Sequence, residues 1–235
     1  MRGGLTAVDE PGLVAGERTE GDPGPAPARS SASSSAQAGP VNPIESYRQQ
    51  RMAAALRGLR YDSGRAEIDA SLPDLPARDA AEAVLSHGRG LDFYSQNMFV
   101  EAIEAFTRAV LLDPDAAQPY SDLALALVAK GRMSEALAAY GSALDRDPSA
   151  VETRMRRAMA LEMADRSDEA VDEWNAVLEH DPDNATAHGR LAILHYYAGR
   201  YAEAWAHVHA VEALGGAVPP QFRPLLAAHM PEPAN

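Results

Sequence analysis

The sequence predicts an all-α protein: about four stacked helix-turn-helix units, a short C-terminal capping helix, and a disordered N-terminal tail. Three observations predict it. An Asp-Pro step recurs at Pro114, Pro148 and Pro182, each 34 residues from the last. In rows of 34 residues, small side chains fall into the same columns. Hydrophobic residues make up 46% of the chain but aromatics only 6%, so alanine, the strongest helix former, carries much of the apolar content.

Composition excludes several function classes. There is no cysteine, which removes disulfides, thiol nucleophiles and cysteine zinc sites. The net charge is −13 and Lys130 is the only lysine, so nucleic acid, itself a polyanion, is not an expected partner. No run approaches the roughly 18 apolar residues that cross a bilayer. The opening "MRGGLTAVDEPGLVAG" lacks an apolar core of about 7–15 residues, so no secretion signal is expected and the cytoplasm is the expected location.

The elements follow in order. Residues 1–41 include "GDPGPAPARSSASSSAQAGP", too poor in apolar surface to offset the entropy of ordering, and read as a disordered tail. Residues 42–79 read as a basic amphipathic helix and a linker. Asn42 can cap the helix, Pro43 suits its first turn, and Glu45 stands where a capping box places an acid. Met52, Leu56 and Leu59 form its apolar stripe, and residues 44–65 carry five arginines against two acids. Such a helix can lie on an acidic membrane, bind RNA or dock on the acidic remainder of its own chain. The docked reading fits the narrow, alanine-rich stripe better. The prolines of "SLPDLPARD" then break the chain.

Periodicity covers residues 80–216, in rows near 83–116, 117–150, 151–184 and 185–216. One column reads Gly90, Ala124, Ala158, Ala192, and another Ala102, Ala136, Ala170, Ala204. Phe106, Tyr140, Trp174 and Val208 share a third. Small residues let paired helices approach, and the large one fills the space beside them. Asn97, Gly131 and Gly199 suit a left-handed turn between the helices of each pair, with Asp165 as a weaker substitute. The residue before each proline is pushed out of helical geometry, which ends the second helix. In residues 217–235, "VPPQFRPLLAAHM" reads as a capping helix, with Phe222, Leu225 and Leu226 available to cover the last unit.

The segments "EAIEAFTRAVLLDP", "EALAAYGSALDRDP" and "EAVDEWNAVLEHDP" resemble the tetratricopeptide repeat family, whose period is 34 residues. The fourth row, "EAWAHVHAVEALGG", departs from the pattern: Val208 replaces the aromatic and Gly216 the proline. The resemblance implies a right-handed superhelix whose first helices line a concave wall. It also implies a protein-binding scaffold. On that wall Met155, Met159 and Met163 are spaced by four, beside Arg156. Neighbouring rows add Leu91 and Tyr94, then Leu125 and Val128, then Arg190, Ile193, Tyr196 and Tyr197. Methionine adapts its shape and aromatics anchor, a combination suited to an apolar peptide or helix, with basic flanks to suit the acidic array. Some family members clamp a terminal carboxylate with lysine and asparagine. Here His87, Leu91, Asp122 and Glu152 stand at those places and only Arg156 suits, so no such clamp is expected.

His188, His195, His207 and His209 gather in the last row. His207 and His209 diverge by about 200° around their helix, and no carboxylate stands at ligand spacing, so they read as packed or surface residues rather than a metal site. No phosphate-cradling loop or nucleophile elbow is present, and Asp168, Glu169, Asp172 and Glu173 read as a solvated face. No cofactor and no catalysis are expected. Residues 83–216 hold 21 acids and 11 bases, a surface able to steer a basic partner. Two readings follow: a scaffold gripping a partner's peptide or helix in the groove, or a self-assembling structural protein whose groove is filled by its own residues 43–61.

Overall fold

The computed structural model describes residues 43–62 and 64–233. The expected tail and the Asn42 cap lie outside them. Helix α1 (Pro43–Ala55) is followed by a hairpin of β1 (Leu59–Asp62) and β2 (Arg65–Ile68), paired antiparallel with Leu59 opposite Ile68 and Asp62 opposite Arg65. Then come four helix pairs: α2 (Ala80–Ser95) with α3 (Phe99–Leu112), α4 (Ala117–Ala129) with α5 (Met133–Arg146), α6 (Val151–Met163) with α7 (Ser167–His180), and α8 (Ala185–Tyr197) with α9 (Tyr201–Ala213). Helix α10 (Phe222–His229) closes the array.

The repeat columns become the core. Ala124, Ala158, Ala192, Ala102, Ala136, Ala170 and Ala204 are all fully buried. Between them sit Phe106, Tyr140, Trp174 and Val208, each at most 1% exposed. Burying one such large side chain contributes about 1.5–3 kcal/mol. In the first pair the small residue must be glycine, because a Cβ on Gly90 would run into the ring of Phe106. Each first helix closes in the same way. Asn97 (φ 59°), Gly131 (71°), Asp165 (56°) and Gly199 (73°) take the left-handed conformation. The next amide then bonds back to the helix: Met98 to Phe93 O, Arg132 to Leu127 O, Arg166 to Leu161 O and Arg200 to His195 O, at 2.9–3.0 Å. This satisfies carbonyls the helix end would otherwise orphan. Asp113, Asp147 and Asp181, each before a proline, are extended (φ near −135°) and end the second helices.

The N-terminal segment corrects the sequence reading. The expected helix stops at Ala55, and residues 59–68 are a hairpin. Gly58 explains the break. Its φ of +102° is one that other residues rarely adopt, and a Cβ there would sit 2.8 Å from Leu111 Cδ1. The predicted stripe of Met52, Leu56 and Leu59 is buried, but against second helices: α1 packs on α3, and both strands pack on α5. Successive first helices approach one another, α2 with α4 and α4 with α6, which places them on the inner side of the curve. Residues 43–61, by contrast, pack on second helices. Burial of the apolar stripe in the array's core accords with the docked reading of the helix.

Helix α5 is shaped for this contact. Ala138, Gly141 and Ser142 are buried, where α3 has Glu104, Thr107 and Arg108 and α7 has Asp172, Asn175 and Ala176 at the same repeat positions. The Ser142 hydroxyl accepts from the Ala66 amide (2.8 Å) and donates to the Ala66 carbonyl (2.9 Å), and Arg65 pairs with Asp145.

Candidate partner-binding groove

Burial on α6 fixes which side chains face the groove. Thr153, Ala158, Ala160 and Leu161 are inside, so the opposite stripe of the helix is open. Along the methionine stripe exposure rises: Met155 is half-buried against the core, Met159 is 37% exposed and Met163 66%. Asn184 Nδ2 stands 3.7 Å from the Met155 sulfur and holds that side chain down. Met159 belongs to a column repeated every 34 residues, with Leu91, Leu125 and Ile193. Leu91 is 46% exposed, whereas Leu125 and Ile193 are half-buried. Tyr197, next to the turn that ends α8, is 82% exposed.

Other predicted wall residues are engaged elsewhere. Tyr94 meets the edge of Phe99, with centroids 5.4 Å apart, and it and Val128 pack against the core. Tyr196 is enclosed by the cap, 5.5 Å from the Phe222 ring and 5.6 Å from His229. Arg156 reaches both Glu152 (3.0 Å) and Asp122 (3.3 Å), and Arg190 pairs with Glu162 (3.0 Å). The apolar surface left open is thus Leu91, Met159, Met163 and Tyr197, with Leu125 and Ile193 partly offered between them.

A polar network, of which the predicted binding set holds only Arg156, crosses the groove floor. Asp122, 6% exposed, receives His87 Nε2 at 2.8 Å, Gln118 Nε2 at 3.0 Å and Arg156. Burial opposes its ionisation, but the hydrogen bonds from His87 and Gln118 and the charges of His87 and Arg156 outweigh it, holding the carboxyl below its ordinary range. The sequence signal was available: Asp122 and Arg156 occupy one column in adjacent rows. Glu162 accepts a hydrogen bond from Trp174 Nε1 at 2.7 Å.

Among the histidines, pairing of α8 with α9 brings three together. His188 Nδ1 lies 2.9 Å from His207 Nδ1, and His195 stacks on His207 at 5.4 Å. Burial, then the neighbouring imidazoles, push His207 down to about 4. His209 turns away to Glu232. No group of three His, Asp or Glu side chains among the described residues is placed to hold a metal, and no helix among them is long and apolar enough to cross a membrane.

A family model described as tetratricopeptide repeat matches residues 87–151, 121–176 and 155–217, together more than half of the chain. The chain belongs to the tetratricopeptide repeat family. Among solved structures, a tetratricopeptide repeat protein from Parabacteroides merdae ATCC 43184 superposes with a TM-score of 0.60 at 19% identity, over 63% of this chain and 60% of that one. MamA does so at 0.56 and 16% identity, over 58% of this chain and 80% of that one. YrrB, described as having an unusual peptide-binding site, gives 0.52 and 21% identity, over 64% and 75%. At these identities the likeness establishes the fold. No curated protein sequence matches the chain.

Proposed function

We propose that the protein is a non-catalytic scaffold that holds a peptide or helix of another protein in the groove of its first helices. The observation that carries this reading is the open apolar row of Leu91, Met159, Met163 and Tyr197, left uncovered while the chain's own N-terminal segment lies on α3 and α5. Large apolar side chains at consecutive places along a concave wall supply anchor sites for a partner's side chains. The peptide-binding site described for YrrB accords with such a role for this architecture. Capture from the native host's lysate tests it. Full-length protein is compared with a variant carrying Met159→Glu, Met163→Glu and Tyr197→Glu, all exposed positions whose charging leaves the core intact. The reading expects a protein retained by the first and lost by the second. Identical retention by both would remove the groove as the docking surface.

A further inference from the structure

One end of the groove has a cleft with a more particular chemistry. It lies between the end of α6, the start of α7 and the end of α8, and encloses about 560 Å³. That is within the range that holds a large side chain and its neighbours. Val171, Ile193, Leu194 and Tyr197 make its apolar walls.

The rim is acidic. Asp165 and Asp168 line the cleft, and among the described residues neither carboxylate pairs with a cation. The other nearby charges are committed: Glu162 to Arg190 and Trp174, and Arg166 to Glu169. Arg200, the one arginine in the lining, directs its Nε to His195 Nδ1 at 2.9 Å. Asp168 stands in the first turn of α7. Among the described residues, an apolar slot thus ends in two carboxylates that no cation pairs with and one guanidinium, that of Arg200, that no carboxylate pairs with.

Resting on the groove reading above, we infer that this cleft selects a partner segment in which a large apolar residue is followed within about four positions by arginine or lysine. The apolar side chain enters between Tyr197, Ile193 and Val171, and the cation reaches Asp165 or Asp168 in a charge-assisted hydrogen bond. Four positions is one helical turn, and two to three serve an extended segment.

The test uses the full chain and phage-displayed random dodecapeptides, with enriched peptides resynthesised carrying fluorescein and titrated by fluorescence polarisation. Enriched peptides are expected to pair Leu, Met or Phe with a nearby Arg or Lys. The double variant Asp165→Asn, Asp168→Asn should weaken them about threefold to fivefold, as one solvent-accessible ion pair at the upper end of its range allows. Replacing the peptide's basic residue by glutamate should weaken wild-type binding at least as much, and raising salt should erode the difference. If enriched peptides are lost on Met159→Glu, Met163→Glu yet tolerate the Asn variant and the basic-to-glutamate change within twofold, the charge selection is wrong and the groove reading stands. If no enriched peptide responds to the methionine changes, both fall.

Discussion

Gly141 offers a sharp test of how the N-terminal hairpin sits. Alanine at a helix-interior glycine ordinarily stabilises by about 0.5–1 kcal/mol, because the unfolded chain loses freedom. Gly88 and Gly189 should behave so: a Cβ at either meets nothing within 4 Å. At Gly141 a Cβ would lie 2.5 Å from the Gly64 carbonyl oxygen and 2.7 Å from Arg65 Nη1. The first of these is backbone, so the hairpin itself must withdraw. Withdrawal loosens both hydrogen bonds between Ser142 and Ala66, each worth about 1 kcal/mol net. The partly exposed Arg65–Asp145 pair adds less than about 1 kcal/mol. Set against the helix gain, Gly141→Ala should destabilise by about 1–2 kcal/mol, while Gly88→Ala and Gly189→Ala stabilise. Urea unfolding followed by circular dichroism measures all three, and amide exchange at Ala66 reports the dock directly. If Gly141→Ala moves the midpoint the same way as the other two, the hairpin does not rest on α5.

Two further outcomes are expected. His207 is held down to about 4, below its unfolded value, so the unfolded state binds more protons between about pH 6.5 and 4 and stability falls as pH falls through that window. Allowing for the partial solvent access of this ring, the loss between pH 7.5 and 5 should be about 1 kcal/mol, and His207→Gln should flatten that part of the stability profile in urea titrations. Leu226 is fully buried in the cap beside Trp205, Val208 and Phe222, so Leu226→Ala should cost about 2–4 kcal/mol locally and speed amide exchange in α9.

The helix pairs were legible because they rest on local chemistry repeated at one interval. Asn97 and Asp165 could be placed in left-handed turns from their column alone, and their φ values are 59° and 56°. The hairpin was not legible as such, since each strand has four residues and Leu59 continues the helical stripe begun by Met52. Its signals lay elsewhere: Ser63-Gly64 between two short alternating runs, and a run of small residues on the outer face of α5. Within the site, the columns identified the helix face but not what covers it. Tyr196 and Tyr197 are neighbours, yet one is enclosed by Phe222 and His229 and the other is 82% exposed. That difference depends on where α10 folds back, which no local spacing encodes. The His207 contacts likewise arise from helix pairing between residues 19 apart.

In the proposed scaffold the inner wall, not the outer one, meets the partner. Photo-crosslinking in the native host tests it most directly, with p-benzoylphenylalanine introduced separately at Tyr197, at Met163 and, on the outer face of α7, at exposed Asp172. A discrete adduct with another protein is expected from positions 197 and 163 and none from 172. An adduct from position 172 alone would place the partner on the outer surface and contradict it.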